Sequence, residues 1–289
     1  MRSDPANEPL VSIIVPTKNR PAQVEALLRS LAESTYPKLE IIVNDDVNSS
    51  DDTRRLVEAF TGLDARYLRT NRSPAQGRSD AAKQARGSIL LHVDSDMTVS
   101  PGLVAECVDL LGDGYDALVI PEISHGQGFW ANCKVLEKAI CQGVEALESA
   151  RCLPTTLYES VGGHDPRLVF CEDKDLDLRL RALGIKIGRT SQVIYHDEGH
   201  ISLEQDLVKR WRRTQGADHF AKKHPKHFQW QRNVFNRYAL FLRKAHLGVQ
   251  VPLHYAGLLY FKTLEYGVSF ARLLINRYGE RLPQERELE

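Results

Sequence analysis

Short apolar runs alternate with helical patterns through the first 125 residues of the chain. The clearest runs are residues 11–15, 41–43 and 89–93, and segment 24–31 repeats apolar residues at the i, i+3, i+4, i+7 spacing of an amphipathic helix. Strands separated by helices of this length predict βαβ units and a parallel sheet. We therefore expect an α/β fold in which a mostly parallel sheet is flanked by helices.

A polar cluster follows each of the three apolar runs. The clusters are Thr17-Lys18-Asn19-Arg20, Asn44-Asp45-Asp46 and Asp94-Ser95-Asp96. In open sheets of this type, ligands bind beyond the carboxyl ends of the strands. The three clusters are therefore expected to form one site.

Asp94 and Asp96 are separated by a single residue at the end of the third run. Neighbouring carboxylates repel, and one tends to take up a proton unless a cation shares the site. Mg²⁺ and Mn²⁺ accept one or two protein carboxylates and complete their shells with water and substrate phosphates. The pair predicts a divalent cation, and the alternative is a solvated pair of loop aspartates.

Asp45 and Asp46 form a second acidic strand end, where a carboxylate can accept hydrogen bonds from the N–H groups of a nucleobase. Helix capping is the alternative, although Ser50 and Asp51 already serve the next helix. Arg78 follows a glycine at what the sequence predicts to be the mouth of a helix, a place that suits a phosphate group. A surface residue or a buried salt bridge is the other interpretation of Arg78.

A third acidic group begins a later helix. It contains Glu172, Asp173, Asp175 and Asp177 within six residues. Acids in a first turn favour the helix dipole, but four exceed what capping needs, and a carboxylate in a cleft can act as a general base. His196 is expected to end a short strand, where it is either a structural histidine or a ligand for a metal or a phosphate oxygen.

Composition excludes several classes of protein. The formal net charge is zero, which gives no support to nucleic-acid binding. The five cysteines have no C-x-x-C pair, which argues against zinc and a disulfide framework and favours a reduced cytosolic interior. No signal peptide is expected before the chain becomes polar at Thr17, and no charge-free run is long enough to span a bilayer.

The last third of the chain is helical and basic. Residues 201–250 hold eleven Lys and Arg against three Asp and Glu, a net charge of +8. We therefore divide the chain into a catalytic region, residues 1–200, and a basic, amphipathic helical extension, residues 201–289. The apolar tail after residue 250 is interrupted by charges, so it is either a docked core helix or an interfacial helix on an anionic membrane.

In this order and spacing the segments resemble the family-2 glycosyltransferases, over roughly residues 11–199. The resemblance rests on VSIIVPTKNR, EIIVNDDVNSSDDT, GRSDAAKQARGSILLHVDSD, ESVGGHDPRLVFCEDKDLDLRLRALG and VIYHDEG. It implies the Rossmann-like, A-type nucleotide-sugar-binding fold and an inverting, metal-dependent transfer of a sugar. The donor would be a UDP- or GDP-sugar and the cofactor Mn²⁺ or Mg²⁺. The acceptor would be a hydroxyl or a lipid phosphate on a glycan or lipid-linked saccharide, in cell-surface glycan or glycolipid synthesis.

The resemblance also implies roles for individual residues. Those assigned to the nucleotide sugar are Pro16, Thr17, Asn19, Arg20, Asp45, Asp46, Arg78 and Asp94. Asp96 would be the main metal ligand with His196 near the metal or diphosphate, and Asp173 would be the base with Glu172 as its rival.

The chain departs from the family pattern at several positions. Val47 stands where glycine usually follows the acidic pair, Ser79 where asparagine is usual, and His164 where phenylalanine is favoured. Leu207 occupies the glutamine position of the motif found in processive members, so we expect addition of a single sugar.

Two other functions remain open at this stage. One is a degenerate family member that binds a nucleotide sugar without turnover. The other is a nucleotidyltransferase, although VPTKNRPAQ lacks the glycines of a phosphate loop. The expected location is cytoplasmic, with peripheral contact at the inner face of the cell membrane as an open alternative.

Overall fold

The computed structural model describes residues 8–215 and 217–279. Contacts divide the chain into two compact units. The first contains the residues up to His125 together with Cys141–Glu198, and the second contains Gly126–Ile140 with the residues from Gly199 onward. The division at residue 200 stays a prediction, and residues 1–7, on which the signal-peptide expectation partly rests, lie outside the described range.

The chain from residue 11 to residue 127 alternates strands and helices. These are β1 (Val11–Thr17), α1 (Pro21–Ala32), β2 (Leu39–Asp46), α2 (Thr53–Ala59), β3 (Asp64–Asn71), α3 (Pro74–Ala82), β4 (Ile89–His92), β5 (Met97–Val99), α4 (Leu103–Gly112), β6 (Ala117–Val119) and β7 (Glu122–Gln127). The next elements are α5 (Phe129–Cys141), β8 (Ala150–Pro154), α6 (Thr155–Ser160), α7 (Glu172–Ala182), β9 (Ile187–Arg189) and β10 (Ile194–His200).

A seven-stranded sheet has the order β3-β2-β1-β4-β8-β6-β9, and a smaller sheet has the order β5-β10-β7. β1 pairs in parallel with β2 and β4, whereas β8 is antiparallel to both β4 and β6. All residues of β1, β2 and β4 are buried, as expected of central strands covered on both faces. The mostly parallel α/β sheet predicted from the sequence is therefore confirmed.

Helix α1 follows its sequence pattern. Val24, Leu27, Leu28 and Leu31 are fully buried, and Pro21 occupies the first turn, where its missing N–H costs nothing. These four side chains pack in the core with residues of β1 and β2. The helix therefore covers one face of the strands whose ends carry two of the polar clusters.

Several boundaries differ from those expected. Helix α3 begins at Pro74, with the Ser73 hydroxyl accepting the Gln76 N–H at 3.3 Å, so Arg78 lies inside the helix and not at its mouth. The apolar pattern from Gly128 onward predicts a helix that reaches Glu148, but α5 ends at Cys141, and Gly143 adopts a positive φ. His196 lies within β10 because the antiparallel pairing with β5 includes it. Strand β8 was not predicted, since its residues show no apolar alternation.

The second unit is helical. Its later elements are α8 (Leu203–Gln215), α9 (Ala217–Lys223), α10 (Pro225–Arg232), α11 (Val234–Arg243), α12 (Ala245–Val249) and α13 (Pro252–Gly279). Its apolar core joins α5, α11 and α13 through the buried side chains Cys133, Leu136, Ile140, Phe241 and Leu258. Pro225 and Pro252 predict breaks in the helical pattern of this part of the sequence, and each opens a new helix in the structure. Among the described residues, no helix combines the length and apolarity needed to cross a membrane.

Candidate active site

The ends of β1, β2 and β4 bring the first three polar clusters together. In the parallel register, Thr17 pairs with Asp45 and Pro16 with Asn44, while Ile14 pairs with His92. The peptide N–H of Val93 continues the ladder by donating to the Ile14 carbonyl at 3.1 Å. The residues that follow each strand therefore meet at one edge of the sheet.

The Asp45 carboxylate is buried and already engaged by the protein. Oδ1 accepts from the Asp46 backbone N–H at 2.8 Å and from the Ser49 hydroxyl at 2.5 Å. Oδ2 accepts from the Tyr67 hydroxyl at 3.0 Å. Asp45 therefore shapes the loop after β2.

Asp46 and Asn19 lie on the same edge of the sheet. One Asp46 oxygen accepts from the Asn48 N–H at 2.8 Å, and the other lies 3.2 Å from Nζ of Lys18, whose side chain is half exposed. Asn19 has a left-handed backbone, with φ of 51°, and its side-chain oxygen accepts from the Ser50 N–H at 2.9 Å. Thr17 Oγ1 is buried and has no hydrogen-bond partner among the described residues. Asp46 and Thr17 therefore keep more hydrogen-bonding capacity for a ligand than Asp45 does.

Asp96 lies in the turn that leads from β4 to β5. One of its oxygens contacts Nη1 of Arg20, and the other lies 3.6 Å from Nε2 of His196. Burial raises its pKa, but the His196 hydrogen bond and the Arg20 charge outweigh burial and lower the pKa to about 2. The carboxylate is therefore ionised at neutral pH.

The second ring nitrogen of His196 faces carboxylates. Nδ1 lies 3.5 Å from Oε2 of Glu122 and 3.7 Å from Oε1 of Glu198. Metal-binding histidines commonly donate their other N–H to a carboxylate, which fixes the tautomer. Oδ1 of Asp96 and Nε2 of His196 are close enough for both to lie about 2.1 Å from one cation.

The described residues contain no group of three or more His, Cys, Asp or Glu side chains suited to a metal. Mg²⁺ and Mn²⁺ sites often use only one or two protein ligands and take the rest from water and substrate phosphates. The pair Asp96 and His196 fits that kind of site.

Arg78 lies among three carboxylates and is only 3% exposed at its side chain. Nη1 donates to Glu172 at 2.7 Å, Nη2 contacts Asp94, and Nε lies 3.5 Å from Asp173. Burial disfavours the charged guanidinium, but the three carboxylates outweigh burial and raise its pKa. The contacts of Arg78 are therefore those of a buried salt bridge, one of the alternatives that the sequence left open.

Arg151 is a site residue that the sequence did not reveal. Its Nη2 donates to Glu122 at 2.5 Å, and Nη1 lies 3.4 Å from Asp94. Arg151 thus connects the carboxylate beside His196 with the carboxylate beside Arg78. The acidic residue on β7 and the basic residue on β8 carry no motif, and only the sheet topology brings them here.

The four acids of α7 separate into two pairs. Asp175 and Asp177 are fully buried, and they pair with Arg179 at 2.8 Å and with Lys174 at 2.7 Å. Glu172 and Asp173 instead contact Arg78. The residue before them, Cys171, has a left-handed φ of 61° and turns the chain into the helix.

The pKa values of Glu172 and Asp173 move in opposite directions. Burial, followed by the neighbouring Asp173 charge, raises the pKa of Glu172 to about 7. Burial also opposes ionisation of Asp173, but Arg78 and a hydrogen bond from His164 outweigh it and hold the pKa well below its usual value. Near neutral pH, Asp173 is therefore ionised and Glu172 is partly protonated.

These contacts form one chain of alternating charge within the first unit. It runs from Arg20 through Asp96, His196, Glu122, Arg151, Asp94 and Arg78 to Glu172 and Asp173. Fixed charges of both signs can hold a diphosphate, a cation and an ionised base in one place.

Comparisons with known proteins identify the family and the fold. The sequence model described as "Glycosyl transferase family 2" matches residues 12–160, more than half of the chain. The chain belongs to glycosyltransferase family 2. The match includes both strand-end aspartate pairs and Arg78, and it ends before Glu172 and His196.

Two curated proteins illustrate the range of relatives. The O-antigen biosynthesis protein RfbC of Myxococcus xanthus is 30% identical over 227 residues, which cover 65% of this chain and 17% of that protein. The GalNAc(5)-diNAcBac-PP-undecaprenol beta-1,3-glucosyltransferase of Campylobacter jejuni is 33% identical over 112 residues, which cover 37% of this chain and 36% of that protein. The chain thus spans about a third or less of the length of these two relatives.

The fold is also that of a solved mannosyltransferase. The mannosyltransferase PcManGT of Pyrobaculum calidifontis, in complex with GDP-Man and Mn²⁺, superposes with a TM-score of 0.64 at 20% sequence identity. The alignment covers 96% of this chain and 89% of that protein. This likeness shows the A-type nucleotide-sugar-binding fold expected from the resemblance.

Proposed function

We propose that the chain is an inverting, metal-dependent glycosyltransferase that moves one sugar from a nucleotide-sugar donor to an acceptor. The observation that carries the proposal is the charge chain at the sheet edge. It connects a pair of side chains suited to a divalent cation, Asp96 and His196, with an ionised carboxylate, Asp173, through the buried Arg78. A binding protein without turnover would need neither an ionised base nor its supporting cation.

The donor side is formed by the ends of β1 and β2. Pro16 and Thr17 end β1, Asn19 and Arg20 follow it, and Asp46 is the carboxylate we assign to the nucleobase because Asp45 already accepts three hydrogen bonds from the protein. UDP- and GDP-sugars both present N–H groups to such a carboxylate. The solved neighbour in complex with GDP-Man and Mn²⁺ supports a nucleotide-sugar donor and a divalent cation.

Asp96 and His196 would hold Mn²⁺ or Mg²⁺, with Asp94 beside them facing the ribose or a metal-bound water. When bound, the cation would neutralise charge on the leaving diphosphate. Arg20 and Arg78 add fixed positive charge to the same region. Both guanidinium groups are already held in place by ion pairs, so they need not reorient as charge develops on the diphosphate. Charge fixed in advance in this way stabilises the transition state more than the ground state.

Asp173 is assigned as the general base. It accepts the proton of the acceptor hydroxyl while the hydroxyl oxygen forms a bond to the anomeric carbon. The bond from that carbon to the diphosphate breaks on the opposite face, which inverts the configuration. A lipid phosphate, already ionised, would attack without needing this proton transfer.

The curated relatives support an acceptor in cell-surface glycan or glycolipid synthesis, such as a glycan or a lipid-linked saccharide. Leu207, where processive members carry glutamine, supports single-sugar addition.

The decisive experiment measures nucleoside diphosphate release from a panel of UDP- and GDP-sugars with Mn²⁺, Mg²⁺ or chelator. We expect release from one donor, lost in chelator and lowered at least about 100-fold in Asp96→Ala, because both metal and charge stabilisation disappear. The exposed Asp113→Ala is the matched control and is expected to behave as wild type. Chelator-insensitive release would contradict metal dependence. No release from any donor, together with no metal-dependent thermal shift by any donor, would favour the non-catalytic alternative.

We also propose that the second unit contacts an anionic membrane. Along α13, the exposed side chains Leu253, Tyr260 and Leu274 are separated by seven and by fourteen residues, and on α11 Phe235 and Leu242 are 84% and 72% exposed. Residues seven apart share one face of a helix. The net charge of +8 over residues 201–250 suits anionic headgroups.

Co-sedimentation with vesicles at low salt tests this contact. Wild type is expected to sediment with vesicles containing phosphatidylglycerol, and Phe235→Ser/Leu242→Ser should lower the bound fraction about tenfold, since two exposed apolar side chains are lost. Leu183→Ser, which changes an exposed leucine of the first unit, is the matched control. Equal binding by the double variant, or no binding by wild type, would contradict the proposal.

A further inference from the structure

A buried polar cluster lies beneath the proposed base and has no role in the functions assigned so far. It consists of His164, Tyr158 and His92, which are 1%, 5% and 2% exposed. The His92 and His164 rings meet edge to face, with centroids 4.7 Å apart. Nε2 of His164 lies 3.2 Å from Oδ1 of Asp173. The cluster therefore connects directly to the reacting carboxylate.

Asp173 and the Tyr158 hydroxyl together determine which His164 nitrogen carries the proton. The hydroxyl oxygen accepts the His164 backbone N–H at 3.0 Å, and it also lies 3.0 Å from Nδ1 of the same residue. Because Asp173 is ionised and can only accept, Nε2 must carry the hydrogen in the neutral ring, and the hydroxyl proton, pointing at Nδ1, reinforces that tautomer. Nε2 consequently donates this hydrogen to Asp173.

The backbone around His164 holds this arrangement in place. Gly163 has φ of 62°, and a Cβ there would lie 2.6 Å from the Tyr158 ring, so any other residue would displace the tyrosine. Arg179 donates to the Gly163 carbonyl at 2.5 Å from α7, the same helix that carries Asp173. The loop and the helix are thus joined by two independent contacts.

The charged groups around the pair favour a neutral histidine. Burial lowers the pKa of His164, and the charges of Arg78 on α3 and Arg179 on α7 lower it further, against the opposing effect of Asp173. Arg151 on β8 and Glu172 on α7 also surround Asp173, and the buried His92 lies on β4. A neutral imidazole between these groups can orient Asp173 without taking its proton.

We propose that His164 is a positioning residue: its Nε2–H holds one oxygen of Asp173, so that the other oxygen faces the acceptor hydroxyl. The inference rests on the proposed function of Asp173 as the base. During transfer the acceptor proton moves to Asp173, while His164 neither gains nor loses a proton. Tyr158 acts one step further away by reinforcing the tautomer.

The test compares His164→Phe, His164→Gln and Tyr158→Phe, with nucleoside diphosphate release measured from pH 4 to 9 on the donor that the panel identifies. We expect His164→Phe to lower kcat about 30-fold with donor KM within about twofold, since the base is misplaced but donor contacts remain. Loss of a hydrogen bond to the ionised carboxylate raises the pKa of Asp173, so turnover of His164→Phe should fall at the acid end of this range, where wild-type Asp173 is still ionised. Glutamine, which keeps a donor, should restore most of kcat.

A second measurement does not depend on turnover. ¹⁵N spectra of the histidine ring at pH 7 should show His164 neutral and protonated at Nε2, and Tyr158→Phe should weaken that preference. A protonation at Nδ1 in wild type would overturn the proposal. So would an unchanged kcat and pH profile in His164→Phe, or equal losses in phenylalanine and glutamine variants with a lowered Tm.

The Asp173→Asn variant separates failure of this inference from failure of the proposed function. If Asp173→Asn keeps turnover, Asp173 is not the base and the proposed role of His164 fails with it. If Asp173→Asn is inactive while His164→Phe behaves as wild type, only the positioning role of His164 is overturned.

Discussion

Asp173→Asn is expected to lower kcat at least about 1,000-fold while leaving donor affinity nearly unchanged. The amide is close in size to the carboxylate but cannot accept the acceptor proton. Most donor residues lie on the ends of β1, β2 and β4, and Asp173 contacts this group only through Arg78, which the amide of asparagine leaves in place. Turnover measured with the donor and acceptor, and donor affinity measured by calorimetry, separate the two effects.

Glu172→Gln is the matched control for this prediction. Because the pKa of Glu172 is raised to about 7, the glutamine resembles a protonation state that the wild type already populates. We expect it to retain turnover within about tenfold. If Glu172→Gln is inactive and Asp173→Asn is active, the base is Glu172 instead.

Arg78→Met is expected to destabilise the first unit by about 3–5 kcal/mol, the usual cost of removing one partner from a buried ion pair. Methionine fills much of the same volume, but Asp94, Glu172 and Asp173 lose the cation they share. A loss of this size lowers Tm by roughly 10 °C in a domain of this size.

The pH dependence of that loss has a definite sign. In wild type the lowered pKa of Asp173 contributes stability above its ordinary pKa, and this contribution is lost as pH falls through the folded-state value. The raised pKa of Glu172 acts oppositely, so its contribution is lost as pH rises from its ordinary value through about 7. Without Arg78, Glu172 and Asp173 lose the charge that lowers their pKa values, so the deficit should be largest near pH 8 and smaller near pH 5.

Thermal unfolding of Arg78→Met and wild type at several pH values measures both effects. Arg29→Met is the matched control, because Arg29 pairs with Glu25 on the exposed face of α1 and such pairs contribute little. A Tm for Arg78→Met within 2 °C of wild type would contradict the prediction, since a loss of about 1 kcal/mol already shifts Tm by that much.

The sequence predicted the sites that follow a local rule. Parallel strands all end at one edge, so the polar residues after residues 15, 43 and 93 had to meet, whatever the details of packing. The first turn of α7 was also found, because its acids exceed the needs of capping. These predictions depend on periodicity and strand direction, and both can be read from short segments of the sequence.

The site residues that the sequence did not reveal are those that no local pattern marks. Arg151 lies at the start of β8, and only because β8 is antiparallel to β4 does its beginning reach the edge where β4 ends. Glu122 comes from the smaller sheet. His164 and Tyr158 interact through a glycine turn with positive φ. Each depends on long-range pairing, which a local pattern does not encode.

The antiparallel junction between β4 and β8 also has an evolutionary consequence. Residues before β5 supply the strands β1, β2 and β4, whereas Arg151, Glu172 and Asp173 come from a later, separate stretch of chain. The two stretches meet in the large sheet along a short register of three residue pairs. Insertions and substitutions between β8 and α7 can therefore change the surroundings of the proposed base while leaving the register of β1, β2 and β4 intact. Under the proposed function, such a chain can change its acceptor without rebuilding the strand ends that would hold its nucleotide.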